Sequence, residues 1–240
     1  MSAPQDSDAK SSARPQSELE LSDFLLRLCH DLRSPLRAIR AHTELLAKDW
    51  PGPRDPAAEE RFGFVASGAQ NIELLVDGLA SYSLALKIDR NSFQPAQMDV
   101  LLRLVLAKLR NPLREAGAEV TYDALPVVSG NPDRLSQLFE ILIMNAVRHR
   151  GAEAPRIHFS AERQEAAWRF SARDNGPGIE PAYLERVFKP FERLRGKQVP
   201  GPGLGLAIAR VIVERHGGSI WAGPGAGSGT AFFFTLPAVD

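Results

Sequence analysis

Four short stretches of this sequence carry groups able to do chemistry. The first is His30-Asp31-Leu32-Arg33-Ser34-Pro35-Leu36. At about 100° per residue, His30 lies roughly 160 to 200° around a helix from Leu28 and Leu32, so it turns away from any seam those leucines form. An exposed imidazole with a pKa near 6.5 is mostly neutral at about pH 7 and keeps a lone pair on one ring nitrogen. That nitrogen is a nucleophile. Asp31 beside it can accept the other ring N–H, fixing the tautomer and offsetting charge as an electrophile arrives. Taken alone, His30 reads more readily as an ordinary surface histidine, and Cys29 as a small packing residue.

The second stretch, Ile141 to His149, is apolar except in its last turn. The amide oxygen of Asn145 is a hard ligand suited to Mg²⁺, and Arg148 and His149 one turn on can reach phosphate oxygens. A hydrogen-bonded or capping Asn is the plainer alternative. The third, Asp174-Asn175-Gly176-Pro177-Gly178, follows a strand. A carboxylate there suits an exocyclic amine such as that of adenine, and Gly176 and Gly178 let a flat ring approach the backbone. Its alternative is a simple Asp-Gly turn. The fourth, Gly201-Pro202-Gly203-Leu204-Gly205-Leu206, opens an apolar helix and would present backbone N–H groups and the positive helix end to a phosphate. It is not a dinucleotide fingerprint, because the preceding Lys189 to Pro200 is polar and irregular rather than a strand. Gly196-Lys197-Gln198 is not a P-loop, which needs Ser or Thr after the Lys.

These groups must be held by two cores, because 240 residues exceed one minimal domain. With 44% hydrophobic and 24% charged residues and zero net charge, the chain has the composition of a folded protein with no bulk attraction for nucleic acid or an anionic surface. Its apolar stretches fall short of the roughly 20 residues that span a bilayer. The N-terminus has no apolar signal core and there is 1 cysteine, which together favour the cytoplasm.

Residues 1–20 read as a flexible lead. From Leu21 the positions Leu21, Leu25, Leu28, Leu32, Ile39 and Leu46 form a helical stripe that should end near Asp49. The breaker run Trp50 to Pro56 follows, and Phe62, Val65, Ala69, Ile72, Val76, Leu79 and Leu86 restore the stripe. Residues 21–90 are therefore an all-α helical hairpin. One stripe per helix is poorly buried by a single hairpin, so two copies should form a four-helix bundle, making the chain a homodimer. After a hinge at 91–95, residues 96–240 alternate helices (99–116, 133–148, 204–216) with strands (119–122, 156–161, 167–173, 219–222, 230–236). Helices gathered on one face of a mixed sheet make an α+β two-layer sandwich.

In order, these segments resemble the sensor histidine kinases of two-component signalling over roughly residues 21–238. His30 to Leu36 resembles the H box, Asn145 to His149 the N box, Asp174 to Gly178 the G1 box, and Phe188-Lys189-Pro190-Phe191 the F box. Gly201 to Leu206 resembles the G2 box, and Gly227-Ser228-Gly229-Thr230 the last glycine box. Arg37-Ala38-Ile39 and Arg193 to Lys197 are most similar to the phytochrome-like subgroup. The resemblance implies a GHKL-type ATP-binding domain whose cofactors are ATP and Mg²⁺. Asn145 would hold the metal and Asp174 would read adenine. Lys189 to Pro200, Lys197 included, would form a lid, and Gly203, Leu204, Gly205, Leu206 and Thr230 would line the nucleotide. His30 would take the γ-phosphoryl group and pass it to an aspartate of a response regulator receiver domain, under control of an upstream sensor domain or protein.

Two positions depart from the family. Ser34 stands where the subgroup often has a Thr or Asn assigned to dephosphorylating the regulator. Ile141 stands where many members have Asn, and where ATP-hydrolysing relatives commonly have a water-activating Glu. Glu140 cannot replace it, being about 140° around the helix from Asn145. The competing readings are a scaffold with a lapsed nucleotide site and a gyrase-type ATPase; the histidine-bearing hairpin disfavours the second.

Overall fold

The computed structural model describes residues 13–52, 55–193, 201–225, 227 and 229–238. The chain divides into two units after Lys87.

The first unit pairs α1 (Ala13–Lys48) with α2 (Pro56–Leu86). The start of α2 is set by Asp55, whose carboxylate accepts the Ala58 N–H at 2.6 Å, and by Pro56 in the first turn. Ser22, Cys29, Leu36 and Thr43 of α1, each seven residues from the next, are buried. A seven-residue period keeps one line of side chains against a partner helix. Opposite them α2 buries Ala69, Val76, Ala80, Ser83 and Ala85. The Ser22 hydroxyl donates to the Ser83 carbonyl at 2.7 Å.

The seam within one chain therefore differs from the leucine stripe read in the sequence. Leu21, Leu28, Leu32, Ile39 and Leu46 are exposed, as are Val65 and Ile72. Small residues let the two backbones approach, and the larger ones are displaced to the flank. Residues 13–20, taken as flexible, belong to α1.

The second unit opens with a single 3₁₀ turn at Arg90–Ser92, followed by β1 (Gln94–Gln97), α3 (Met98–Lys108), α4 (Arg110–Ala116), β2 (Glu119–Tyr122) and β3 (Val127–Gly130). Then come α5 (Pro132–Arg148), β4 (Arg156–Arg163), β5 (Ala167–Asp174), α6 (Gly205–Arg215), β6 (Ile220–Pro224) and β7 (Thr230–Pro237). The main sheet runs β2-β4-β5-β7-β6, parallel only at β2 against β4. On β5, Phe170, Ser171 and Ala172 are buried and Arg173 is exposed. Phe159, Phe170, Phe232 and Phe234 meet Leu135, Phe139, Ile143 and Ile212 from α5 and α6 in a two-layer α+β core.

One expectation changes. The helix read as 99–116 breaks at Leu109 into α3 and α4, because Pro112 has no N–H to give to residue 108. In the span read as a hinge, 91–95, Gln94 and Pro95 lie in β1, paired with Gly130 and Ser129 of β3. That short edge strand, tolerant of a proline, fastens the connector to the second unit.

Candidate functional site

On α1, the His30 side chain is 85% exposed and its Nδ1 lies 3.2 Å from Asp31 Oδ1. With Nδ1–H donating to that carboxylate, Nε2 keeps its lone pair toward solvent. Pro35 sits inside the same helix, so the Asp31 carbonyl cannot receive the usual bond from four residues on. Cys29, one residue before the imidazole, is 1% exposed in the hairpin core, and burial raises its thiol pKa. It is a packing residue rather than an accessible thiolate.

In the second unit, one cleft of about 1170 Å³, counted to its open mouth, gathers the other candidates. The inner face of α5 buries Leu135, Phe139 and Ile143, and this turns Ile141, Asn145 and Arg148 along the opposite side into the cleft. Glu140 points elsewhere: its Oε2 accepts a hydrogen bond from Lys108 Nζ at 2.6 Å. His149 closes α5, its N–H donating to the Asn145 carbonyl at 3.0 Å, and also lines the cleft.

Asp174 enters from the end of β5. Its Oδ1 accepts the N–H groups of Gly176 at 2.8 Å and Thr230 at 3.2 Å. Burial pushes its carboxyl above the ordinary carboxylate range, and those two N–H groups pull it back. One carboxylate oxygen is thus held by two backbone N–H groups. Gly229 is required here: a Cβ at that position would fall 1.8 Å from the Asp174 carbonyl oxygen.

The wall opposite is the entry to α6, with Gly201, Pro202, Gly203, Gly205 and Leu206. Gly203 has φ +71° and accepts the Phe191 N–H at 2.9 Å, pinning the segment after Phe188 against the glycine turn. A Cβ on Gly205 would lie 3.6 Å from Ile141 Cγ2, so an apolar side chain closes the cleft between α5 and α6.

Of the residues singled out in the sequence, Asn145, Arg148, His149, Asp174, Gly178, Gly203, Gly205, Leu206 and Thr230 line this one cleft. Leu204 does not; it is 1% exposed and belongs to the core. Gly176 contributes from behind, through its bond to Asp174. Lys197 lies outside the described residues. Ala146 falls within the N box and Glu192 within the lid segment, though neither was named as a site residue; sequence reading missed Ile179 and Val187. Ile179, next to Gly178, had a local signal, whereas Val187 reaches the cleft only through the path of the intervening chain. Among the described residues no cluster of three or more His, Cys, Asp or Glu could hold a metal ion, and no helix is long and apolar enough to cross a membrane.

Comparison with known proteins agrees with this geometry. Residues 20–84 match the His Kinase A (phospho-acceptor) domain, and residues 130–240 match the Histidine kinase-, DNA gyrase B-, and HSP90-like ATPase family. Cyanobacterial phytochrome A of Nostoc sp. is 39% identical over 92% of this chain and 29% of its own length. Sensor protein kinase WalK of Staphylococcus haemolyticus is 30% identical over 92% of the chain and 37% of its own length. The chain thus spans about a third of these curated relatives. The crystal structure of full-length ShkA in complex with AMPPNP superposes with a TM-score of 0.68 at 25% identity, over 91% of this chain and 46% of that one. With a phospho-acceptor hairpin ahead of an ATPase sandwich, the chain belongs to the histidine kinases.

Proposed function

We propose that the chain is an ATP-dependent protein histidine kinase that phosphorylates His30 and donates the phosphoryl group to an aspartate of a response regulator. The observation that carries this reading is the convergence of Asp174, Asn145 and the Gly201–Leu206 turn on one cleft, in a chain that also exposes the His30–Asp31 pair. Asp174 accepts the exocyclic amine of adenine, and the N-terminus of α6 faces the phosphates. Asn145 would hold a Mg²⁺ through its amide oxygen, and that ion would neutralise charge on the phosphates. His30 Nε2 attacks the γ-phosphorus, the bond to the bridging oxygen breaks, ADP departs, and Asp31 balances the charge that develops on the ring. The reading includes a homodimer through residues 21–88, supported by the exposed Leu21, Leu28, Leu32, Ile39 and Leu46, and a cytoplasmic setting where ATP is available.

Incubation with γ-labelled ATP and Mg²⁺ tests it. The label should be stable to alkali and labile to acid, as a phosphoramidate is, and absent from His30→Gln. Label that survives hot acid, or undiminished labelling of His30→Gln, refutes the reading.

Ile141 sharpens it. An isoleucine beside the phosphate end can neither deprotonate nor orient a water, and Glu140 is held by Lys108. Without a regulator, labelling should stop at one phosphoryl group per chain with negligible phosphate release. Steady ATP hydrolysis persisting in His30→Gln would place the chemistry in the hydrolytic branch instead.

A further inference from the structure

The junction between the connector and the second unit holds a buried histidine that phosphoryl transfer does not use. His216, at the end of α6, is 2% exposed. Its Nδ1 donates to the Ile212 carbonyl at 2.7 Å and its Nε2 accepts the Asn131 backbone N–H at 3.0 Å. Those two bonds specify a neutral imidazole with its proton on Nδ1; a second proton would set one N–H against another.

Two further contacts converge on the ring. Phe93 of the connector stacks on it, with centroids 4.5 Å apart and planes 11° apart. Gly130, the last residue of β3, makes room for it: a Cβ there would stand 2.8 Å from Cδ2 and 2.9 Å from Nε2. Beside it, Arg90 Nε donates to the Arg215 carbonyl at 3.0 Å. Asn131 in turn caps α5, its side chain accepting the Arg134 N–H at 3.1 Å. One ring thus joins the connector, the end of β3, the end of α6 and the start of the helix that carries Asn145.

We propose that His216 is a protonation-controlled clasp, holding the connector and the N-terminus of α5 in place while neutral and releasing both when the ring takes a second proton. This goes beyond the kinase reading and does not depend on it. Burial lowers the affinity of this ring for a proton; the Ile212 carbonyl acts against that, and the Arg90 charge reinforces it. The charged residues on the elements packed around it are Asp89 and Arg90 in the connector, Glu214 and Arg215 at the end of α6, and Asp133 and Arg134 in the first turn of α5; β1 and β3 carry none. The unfolded chain therefore binds a proton here more readily than the folded one. The clasp's stability is fully present above the ordinary value of 6.5 and is lost as pH falls from 6.5 toward the lower folded value.

The test uses the full chain and two readouts between about pH 7.5 and pH 5. NMR of the wild-type His216 ring should show the proton on Nδ1 at the upper end and a titration midpoint below 6.5. Over the same titration, protection of the Asn131 amide against hydrogen exchange, corrected for its intrinsic rate, should fall by about tenfold with the same midpoint. His216→Gln offers an amide oxygen to the Asn131 N–H but does not titrate, so its protection should stay level. Level protection in the wild type, a midpoint that does not coincide with the ring's, or an identical loss in His216→Gln overturns the proposal. Should His216→Gln not fold, coincidence or divergence of the two wild-type midpoints decides it.

Discussion

The hairpin and the sandwich both turn an apolar pattern into packing, but to different degrees. In the hairpin the buried apolar cluster is Cys29, Leu36, Val76 and Ala80, edged by Leu26 and Leu79, while five positions of the α1 leucine stripe face solvent. In the sandwich Phe139, Phe159, Phe170, Phe232 and Phe234 are each under 2% exposed or close to it. Each such side chain contributes about 1.5 to 3 kcal/mol by burial. A seam of small residues brings two backbones together but removes little apolar surface from water. The sandwich therefore completes its core within one chain, whereas the hairpin keeps a face that a second copy would bury.

The largest effect should come from the sandwich. Phe234 stacks on Phe170 with centroids 4.7 Å apart and is 0% exposed. Phe234→Ala should cost about 3 to 5 kcal/mol, read as a lower denaturation midpoint of the second unit. A comparable result for Leu32→Ala would erase the contrast between the two units.

Next in size is the open face of the hairpin. Leu32→Asp combined with Ile39→Asp leaves the Cys29–Val76 seam untouched, so helicity should persist while light scattering changes from dimer to monomer. An unchanged mass would place the dimer contact elsewhere.

Asn145→Asp should remove phosphoryl labelling and leave the thermal midpoint near that of the wild type, because the side chain faces the cleft rather than the core. Loss of the fold would assign Asn145 a structural role.

The smallest effect belongs to the helix cap. Asp55→Ala removes the bond to the Ala58 N–H and should cost about 1 kcal/mol, visible as a modest shift in the hairpin's unfolding.

Local periodicity accounts for what could be read early. His30 faces solvent as its helical position suggested, although the seam it turns from is Cys29 and Leu36, about 100 to 120° around the helix, rather than Leu28 and Leu32. Ile141, Asn145 and Arg148 share a face because their spacings of four and three residues fit one helical side. Asp174 stands at a strand end because the glycines after it cannot continue the strand. The choice of seam in the hairpin was not legible in this way, since Ser22 and Thr43 carry no apolar signal, and Cys29 only a weak one, against a row of leucines. Nor was β1, whose four residues are a strand only because β3 lies beside them.

Residue type and spacing determined which groups could act: an exposed imidazole beside a carboxylate, an amide oxygen on a polar helix face, and a glycine turn at a helix start. Tertiary structure decided which of them meet. Strand order brings Thr230 to Asp174 across 56 positions of sequence, and the Asn131 amide reaches His216 across 85. Such pairings depend on where the chain returns to itself, which is governed by packing of the whole core rather than by any local window.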